Sequence, residues 1–212
     1  FASSTKTTST CIWNRYRHPY VLSNKLDIRL STPFPVYPSS QTLMKKSLKA
    51  AAKNGALEVL KELMKIETDL EDTDEDGYTA LLWAAKHGLN DCLQLLVDSK
   101  ADLKVATEDD ETALILAAEN GPIDCVQLLL TAKADVEYRA NDRYTALHVA
   151  AEHGNMECVQ LLLNAKAKIE AKGTRGKTAL SWAAQNGHTD CVRLLLKAKA
   201  DTKANDDDGN TA

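Results

Sequence analysis

The chain has 212 residues, of which 44% are hydrophobic and 26% are charged, values ordinary for a globular protein. Its formal net charge of -4 argues against a general nucleic-acid binder, because such proteins carry a strong basic excess. The longest apolar runs, such as ALLWAA, are too short to cross a bilayer, so we expect no membrane partner.

Residues 1–42 differ in composition from the rest of the chain. They are rich in Ser and Thr, contain one acid, Asp27, and carry P-F-P-V-Y-P at 33–38. They show no helical or strand periodicity, so we expect a disordered or non-native leader. The chain starts at Phe1 and its first Met is Met44, which favours an incomplete reading frame. Two alternatives stay open, an organelle transit peptide and a polyproline ligand for an SH3-type domain.

From residue 43 onward the sequence repeats itself every 33 residues. The step separates four cysteines, at Cys92, Cys125, Cys158 and Cys191, and it also separates four T-A-L triplets. Self-similarity at one fixed period is the signature of a stacked repeat protein. The period predicts five units, 43–75, 76–108, 109–141, 142–174 and 175–207, followed by the start of a truncated sixth at 208–212.

Each unit has the pattern of two helices and a turn. In the second unit, Thr79 is a good N-cap and Leu81 begins one apolar helical face. Gly88 ends this helix, as Gly does where the backbone needs a positive φ. A second helix follows, with Asp91 in its first turn, where the helix dipole favours an anion.

These residues resemble the ankyrin repeat, a unit of roughly 33 residues that carries D-G-x-T-P-L-H-x-A-A-x-x-G and then a leucine run followed by G-A-D. The resemblance covers about four fifths of the chain. It implies an all-α solenoid of stacked helix pairs, with short β-hairpin-like fingers projecting from one edge.

The chain departs from the family pattern at three positions of the repeat. Ala80 and its equivalents replace the Pro of the first helix. Only His148 fills the His position, which implies a hydrogen bond to the neighbouring Thr in one unit alone. The Gly after the second helix is replaced by lysine at Lys100, Lys133, Lys166 and Lys199.

The stretch D-T-D-E-D-G at 72–77 is similar to the start of an EF-hand calcium loop. However, it straddles the junction of two repeats, and Trp83 stands where that loop needs a bidentate Glu. We therefore expect a solvated turn rather than a calcium site, and no metal or cofactor.

The aligned cysteines do not indicate metal or redox chemistry. Equivalent helices in a stack lie about 8–10 Å apart, whereas a disulfide needs Cα atoms within about 7 Å. No C-x-x-C or His pair has zinc-ligand spacing. We predict buried thiols, and free thiols favour an intracellular, cytoplasmic location.

Two aromatic pairs share repeat positions. Trp83 and Trp182 are expected to pack in the core rather than stack on a ligand. His87 and His153 lie at the end of the first helix and are expected to be surface contacts, since a catalytic role would need a partner fixed in a cleft.

The repeat pattern predicts a monomeric, non-catalytic scaffold that binds a partner protein through its finger tips and concave face. Packing positions recur, while the residues at tips and on the concave face vary between units. An alternative is the recruiting arm of a larger enzyme, such as a kinase or ubiquitin ligase, whose catalytic domain lies outside this chain. A third alternative, a structural spacer, would predict finger tips without charged and aromatic side chains, whereas the tips here carry both.

We expect the partner to contact residues at finger and inner-helix positions that the fold does not require to be buried. Tyr78, His87, Tyr144 and His153 are the expected anchors, and finger charge changes from acidic to basic along the chain. The full set is Tyr78, Lys86, His87, Glu111, Glu119, Tyr144, Glu152, His153, Arg175, Lys177 and Gln185.

Overall fold

The structure is a computed structural model that describes residues 48–65, 69–120 and 122–212. The predictions for residues 1–42 lie outside these ranges. The described helices are α1 (48–53), α2 (Leu57–Met64), α3 (Ala80–Lys86), α4 (Asn90–Asp98), α5 (Ala113–Asn120), α6 (Ile123–Thr131), α7 (Ala146–Glu152), α8 (Met156–Asn164), α9 (Ala179–Gln185) and α10 (Thr189–Lys197). Short 3-10 turns lie at Asn141–Arg143 and Thr174–Gly176.

The helices stack in two layers. In the inner layer, contacts run from α3 to α5, from α5 to α7 and from α7 to α9. In the outer layer, they run in the same way from α2 through α4, α6 and α8 to α10. Each of α3, α5, α7 and α9 also packs on the outer helix that follows it. This arrangement confirms the predicted all-α solenoid, in which each unit contacts its neighbours in sequence.

The small residues of the inner helices explain why the stack is close. The Ala-Ala pairs at 84–85, 117–118 and 150–151 are fully buried, so neighbouring backbones approach without large side chains between them. The outer helices are amphipathic. In α4, for example, Leu93 and Leu96 are buried whereas Gln94 is exposed.

The predicted helix starts and stops are confirmed at several positions. Thr79 Oγ1 accepts from the Leu82 N–H at 3.3 Å, and Thr178 Oγ1 accepts from the Ser181 N–H at the same distance. Gly88 has a φ of 66°. The four lysines in the family's Gly position are also left-handed, with φ values of 69°, 66°, 66° and 70°. Each costs roughly 1 kcal/mol relative to Gly.

Five closed turns, the finger turns, project between the repeats at 74–78, 107–111, 140–144, 173–177 and 206–210. In each, the N–H of the first residue donates to the carbonyl of the fifth, at 2.8–3.0 Å. The predicted β-hairpin-like fingers are not confirmed. The β-pairing seen in the described residues is one isolated bridge, between Ala106 and Thr112. The chain begins the next helix right after each of the first four turns, which leaves no residues for a second pair.

Helices within the described ranges are too short or too polar to cross a membrane.

Candidate functional site

The finger turns and the inner helices expose side chains on one common surface, which we call the inner face. Each repeat contributes the last residue of its turn and the end of its inner helix. Contacts between the two show that they are adjacent: Lys86 Nζ donates to Tyr78 Oη at 2.6 Å, and Lys177 Nζ donates to Gln185 Oε1.

Five predicted residues meet in one depression of the inner face, the central groove, between the turns at 107–111 and 140–144. Its cavity is about 370 Å³. The predicted residues that line it are Glu111, Glu119, Tyr144, Glu152 and His153. The remaining lining residues are Asp109, Ile115, Ala140, Asn141, Asp142 and Val149.

Among the residues that the structure describes, the central groove is lined by five carboxylates and by no Lys or Arg side chain. Burial raises the pKa of Glu111 above its ordinary value, and the nearby carboxylates Glu119 and Asp109 raise it further, against a smaller opposing effect of Lys86. Burial and then the charge of Glu152 likewise raise the pKa of the Tyr144 phenol. Like charges that disfavour one another in this way create a site suited to a cation.

The expectation that Tyr78 is accessible is wrong, because Tyr78 is only 8% exposed. Its ring stacks on Trp83 at a centroid distance of 4.4 Å, and Trp83 stacks in turn on His87 at 5.3 Å. Lys53 Nζ lies 3.8 Å from the centre of the Trp83 ring. The predicted packing role of Trp83 is confirmed, and only His87 of this stack is exposed.

The finger turn at 173–177, which we call the basic turn, is basic, whereas the last finger turn carries Asp206, Asp207 and Asp208. Arg175 is exposed at the tip of its turn, and Lys177 Nζ lies 4.7 Å from the centre of the Trp182 ring. Tyr144 is half-buried, and its ring lies 5.6 Å from that of Trp182, so it borders both the central groove and the basic turn.

Two carboxylates of the acidic stretch at 72–77, those of Asp72 and Asp74, bond groups within the fold. Asp74 Oδ1 accepts from the N–H groups of Asp76 and Tyr78, and Oδ2 accepts from Trp83 Nε1 at 2.6 Å. Partial burial raises the pKa of Asp74, but these hydrogen bonds and Lys49 together hold it below its ordinary value. Asp72 pairs with Lys49 Nζ at 2.9 Å. The stretch therefore closes a turn.

The four aligned cysteines are free and at most 2% exposed, as predicted. Burial raises the pKa of each thiol, and it does so to about 11 at Cys125 and Cys158. A reactive thiol needs a lowered pKa, so these groups fill space in the core.

Polar links between repeats were missed by the sequence analysis. Asn155 Nδ2 donates to the carbonyls of Ala118 and Glu119, at 2.8 and 2.9 Å. Asn186 Nδ2 and a ring nitrogen of His188 bond the Glu152 carbonyl, each at 2.8 Å. These bonds fix the helix ends that carry Glu119 and Glu152 into the central groove. The sequence does contain a signal for these bonds: Asn155 and His188 are polar, whereas Leu89 and Pro122 occupy the same repeat position in other units.

A scan against protein families matches the model described as ankyrin repeats (3 copies) to residues 48–140 and 132–206. A search of curated proteins found no significant match to the chain. Ankyrin repeats are in general protein–protein interaction modules, and domains built from them are typically non-catalytic. With three quarters of its length matched, in line with the stacked helix pairs described above, the chain belongs to the ankyrin-repeat family.

Proposed function

We propose that this chain is a non-catalytic scaffold that binds a partner protein through its inner face, with the central groove at the middle of the contact. The observation that carries the proposal is the convergence of Glu111, Glu119, Tyr144, Glu152 and His153 on one cavity of about 370 Å³. These side chains come from two repeats and are separated by up to 42 positions in the sequence.

The chemistry of the central groove favours a basic segment of the partner. Asp109, Glu111, Glu119, Asp142 and Glu152 line it. Lys or Arg side chains of a partner would be steered toward these carboxylates and held in one register. Tyr144 is the proposed anchor, because a half-buried aromatic ring supplies contact area at a low cost in conformational entropy.

The remaining predicted residues flank the central groove. Lys86, His87 and the buried Tyr78 lie toward the first repeats, and Tyr78 acts there by holding Lys86. Arg175, Lys177 and Gln185 lie toward the last repeat. The order of charge from the turn at 107–111 to the turn at 173–177, acidic and then basic, sets the direction in which a partner chain of opposite polarity lies on the inner face.

The proposal includes five repeats with the boundaries predicted from the 33-residue period, acting as a monomer in the cytoplasm. The free, buried thiols of the outer helices support a reducing compartment.

The test uses a partner captured from cell extract, identified, purified and measured by calorimetry. The double variant Tyr144→Ala with His153→Ala should weaken binding by about 2 kcal/mol or more, or roughly 30-fold, because it removes the proposed anchor and a residue lining the same cavity.

The matched control is Gln127→Ala with Gln160→Ala, two exposed positions on α6 and α8 that face away from the central groove. Circular dichroism checks that both double variants fold. If the glutamine variant lost the partner and the tyrosine–histidine variant kept it, the contact would lie on the outer helices and the proposal would be wrong.

A further inference from the structure

The two tryptophans of the repeats differ in whether their indole N–H group has a hydrogen-bond partner. Trp83 and Trp182 occupy the same place in α3 and α9. Trp83 Nε1 donates to Asp74 Oδ2 at 2.6 Å. Trp182 Nε1 is buried, yet it has no hydrogen-bond partner within the described part of the chain. Because buried N–H groups are nearly always paired in folded proteins, this unused donor calls for an explanation.

The difference arises in the finger turns. Asp74 is the first residue of its turn, and Gly173 is the first residue of the turn that precedes α9. Glycine supplies no side-chain acceptor. The φ of Gly173 is -93°, which any residue adopts, so backbone geometry does not require glycine here. A Cβ at this position would lie 3.3 Å from His148 Cδ2, so packing against the buried histidine favours its absence.

Two basic side chains, Lys177 and Arg175, lie on the turn that precedes Trp182. Lys177 Nζ lies 4.7 Å from the centre of the Trp182 ring, and its described hydrogen-bond partner is the neutral amide oxygen of Gln185. Arg175 is exposed on the same turn. Two acids lie near this turn. The Oδ1 of Asp206 already accepts from the N–H groups of Asp208 and Asn210, and the Oδ1 of Asp207 lies beside Gly176.

We infer that Trp182, Lys177 and Arg175 form a binding site for a carboxylate side chain of the partner protein. The Trp182 indole N–H and the Lys177 ammonium donate to it, so the partner supplies the acceptor that Asp74 supplies to Trp83. This inference rests on the proposed function and gives the partner an Asp or Glu next to the basic residues that enter the central groove.

The site opens by a rotation of one flexible side chain. Lys177 exchanges a hydrogen bond to a neutral amide for one to a carboxylate, and charge-assisted hydrogen bonds are the stronger kind. Since Lys177 Nζ lies only 4.7 Å from the centre of the Trp182 ring, one carboxylate of the partner would reach both the ammonium and the indole N–H. Tyr144, 5.6 Å from Trp182, connects this site to the central groove, so one peptide segment reaches both.

The test is an NMR titration of the 15N-labelled chain with an acetylated, amidated tetrapeptide of alternating Glu and Asp. We expect the Trp182 indole N–H resonance to shift saturably while that of Trp83 stays in place, because Trp83 already has its carboxylate. The Gln/Asn version of the tetrapeptide should leave both resonances unchanged. Trp182→Phe assigns the resonance, since the variant loses that signal.

Three variants separate the contributions, with binding followed on the peptide signals. Trp182→Phe retains a ring but no N–H and should bind about tenfold more weakly, the loss expected for one hydrogen bond to a charged group. Lys177→Gln should also weaken binding. Gly173→Asp should abolish the response, because it provides an internal carboxylate as in the turn before α3.

An unmoved Trp182 resonance, an equal response to the neutral tetrapeptide, or wild-type affinity in both Trp182→Phe and Lys177→Gln would overturn the carboxylate site. The proposed function is judged separately, by whether Tyr144→Ala with His153→Ala loses the partner. If the titration fails but Tyr144→Ala with His153→Ala still loses the partner, the carboxylate site is wrong and the proposed function stands.

Discussion

His148 shows at the scale of one residue how a polar group is accommodated in the core. It is fully buried, its Nδ1 accepts from the Thr145 N–H at 3.2 Å, and its Nε2 bonds the Ala171 carbonyl at 2.8 Å. Only the neutral ring with the proton on Nε2 satisfies both bonds. Burial accordingly lowers the pKa of His148, against smaller opposing effects of its backbone partners.

This lowered pKa predicts a stability that depends on pH. Below the ordinary His pKa of about 6.5, the unfolded chain binds a proton that folded His148 does not, so stability falls as pH falls through that value. One such group contributes at most about 1.4 kcal/mol per pH unit. Urea unfolding at several pH values between neutral and mildly acidic measures the slope.

The control for this pH effect is His148→Leu, since Leu82 occupies the same repeat position in α3. The variant should lose part of the slope whatever its absolute stability. An unchanged slope would assign the pH dependence to other groups.

Whether the environment of a single residue could be predicted from the sequence depends on whether its contacts are local. The bond between His148 and Thr145 was predictable, because the partners lie three positions apart and resemble a family motif. The left-handed backbone of the four lysines was predictable because they stand in the family's Gly position. The burial of Tyr78 was not, because it results from stacking on Trp83 and from a bond to Lys86, and no periodicity encodes those side-chain contacts.

At the scale of the element, the finger turns differ in how their first residue closes them. Asp74 and Asp206 bond N–H groups within their own turns, and Thr107 Oγ1 accepts from the Glu111 N–H at 3.2 Å. Ala140 and Gly173 occupy the same place without a side-chain acceptor. The turns at 140–144 and 173–177 are therefore held less by their own side chains.

Asp74→Ala should destabilise the chain by about 1–2 kcal/mol, because it removes a turn-closing acceptor and leaves Trp83 Nε1 without its bond. Thermal unfolding followed by circular dichroism measures the loss. Asp206→Ala is the matched control. Asp206 is the first residue of an equivalent turn but receives no indole N–H, so its loss should be smaller. Equal losses would show that the indole bond contributes nothing.

The helices were predictable because a 33-residue period with apolar faces fixes both their number and their order. The hairpin-like fingers were an implication of the resemblance and are not confirmed, since the β-pairing of the described finger turns is one isolated bridge, between Ala106 and Thr112. The central groove was predictable only as a set of positions. Its walls depend on Asn155 and His188, which bond the carbonyls of the preceding repeat and carry no periodic signal.

At the scale of the whole repeat array, stability depends on contacts between neighbours. Inner helices α5 and α7 each pack between two other inner helices. In α9 the equivalent packing is weaker: Ala184 is exposed, whereas Ala118 and Ala151 are fully buried. Leu196 of α10 is 43% exposed. The last helix pair therefore contributes less buried apolar area than the central ones.

Amide hydrogen exchange should be fastest in α9 and α10 and slowest across 112–163, since a repeat with less buried surface opens more often. Mass spectrometry of the 212-residue chain resolves this at the level of single helices. Equal protection along all the described helix pairs would show instead that the array unfolds as one cooperative unit.

The four buried cysteines allow the opening of individual repeats to be measured by thiol modification as well. Each of α4, α6, α8 and α10 carries one thiol at an equivalent depth, so an alkylating reagent reaches each of them only when that helix detaches from the stack. The relative modification rates of Cys92, Cys125, Cys158 and Cys191 thus report how often each of the last four repeats opens. A bound partner would slow modification most in the repeats that it contacts, so the four rates would map the contact through the protein's own thiols.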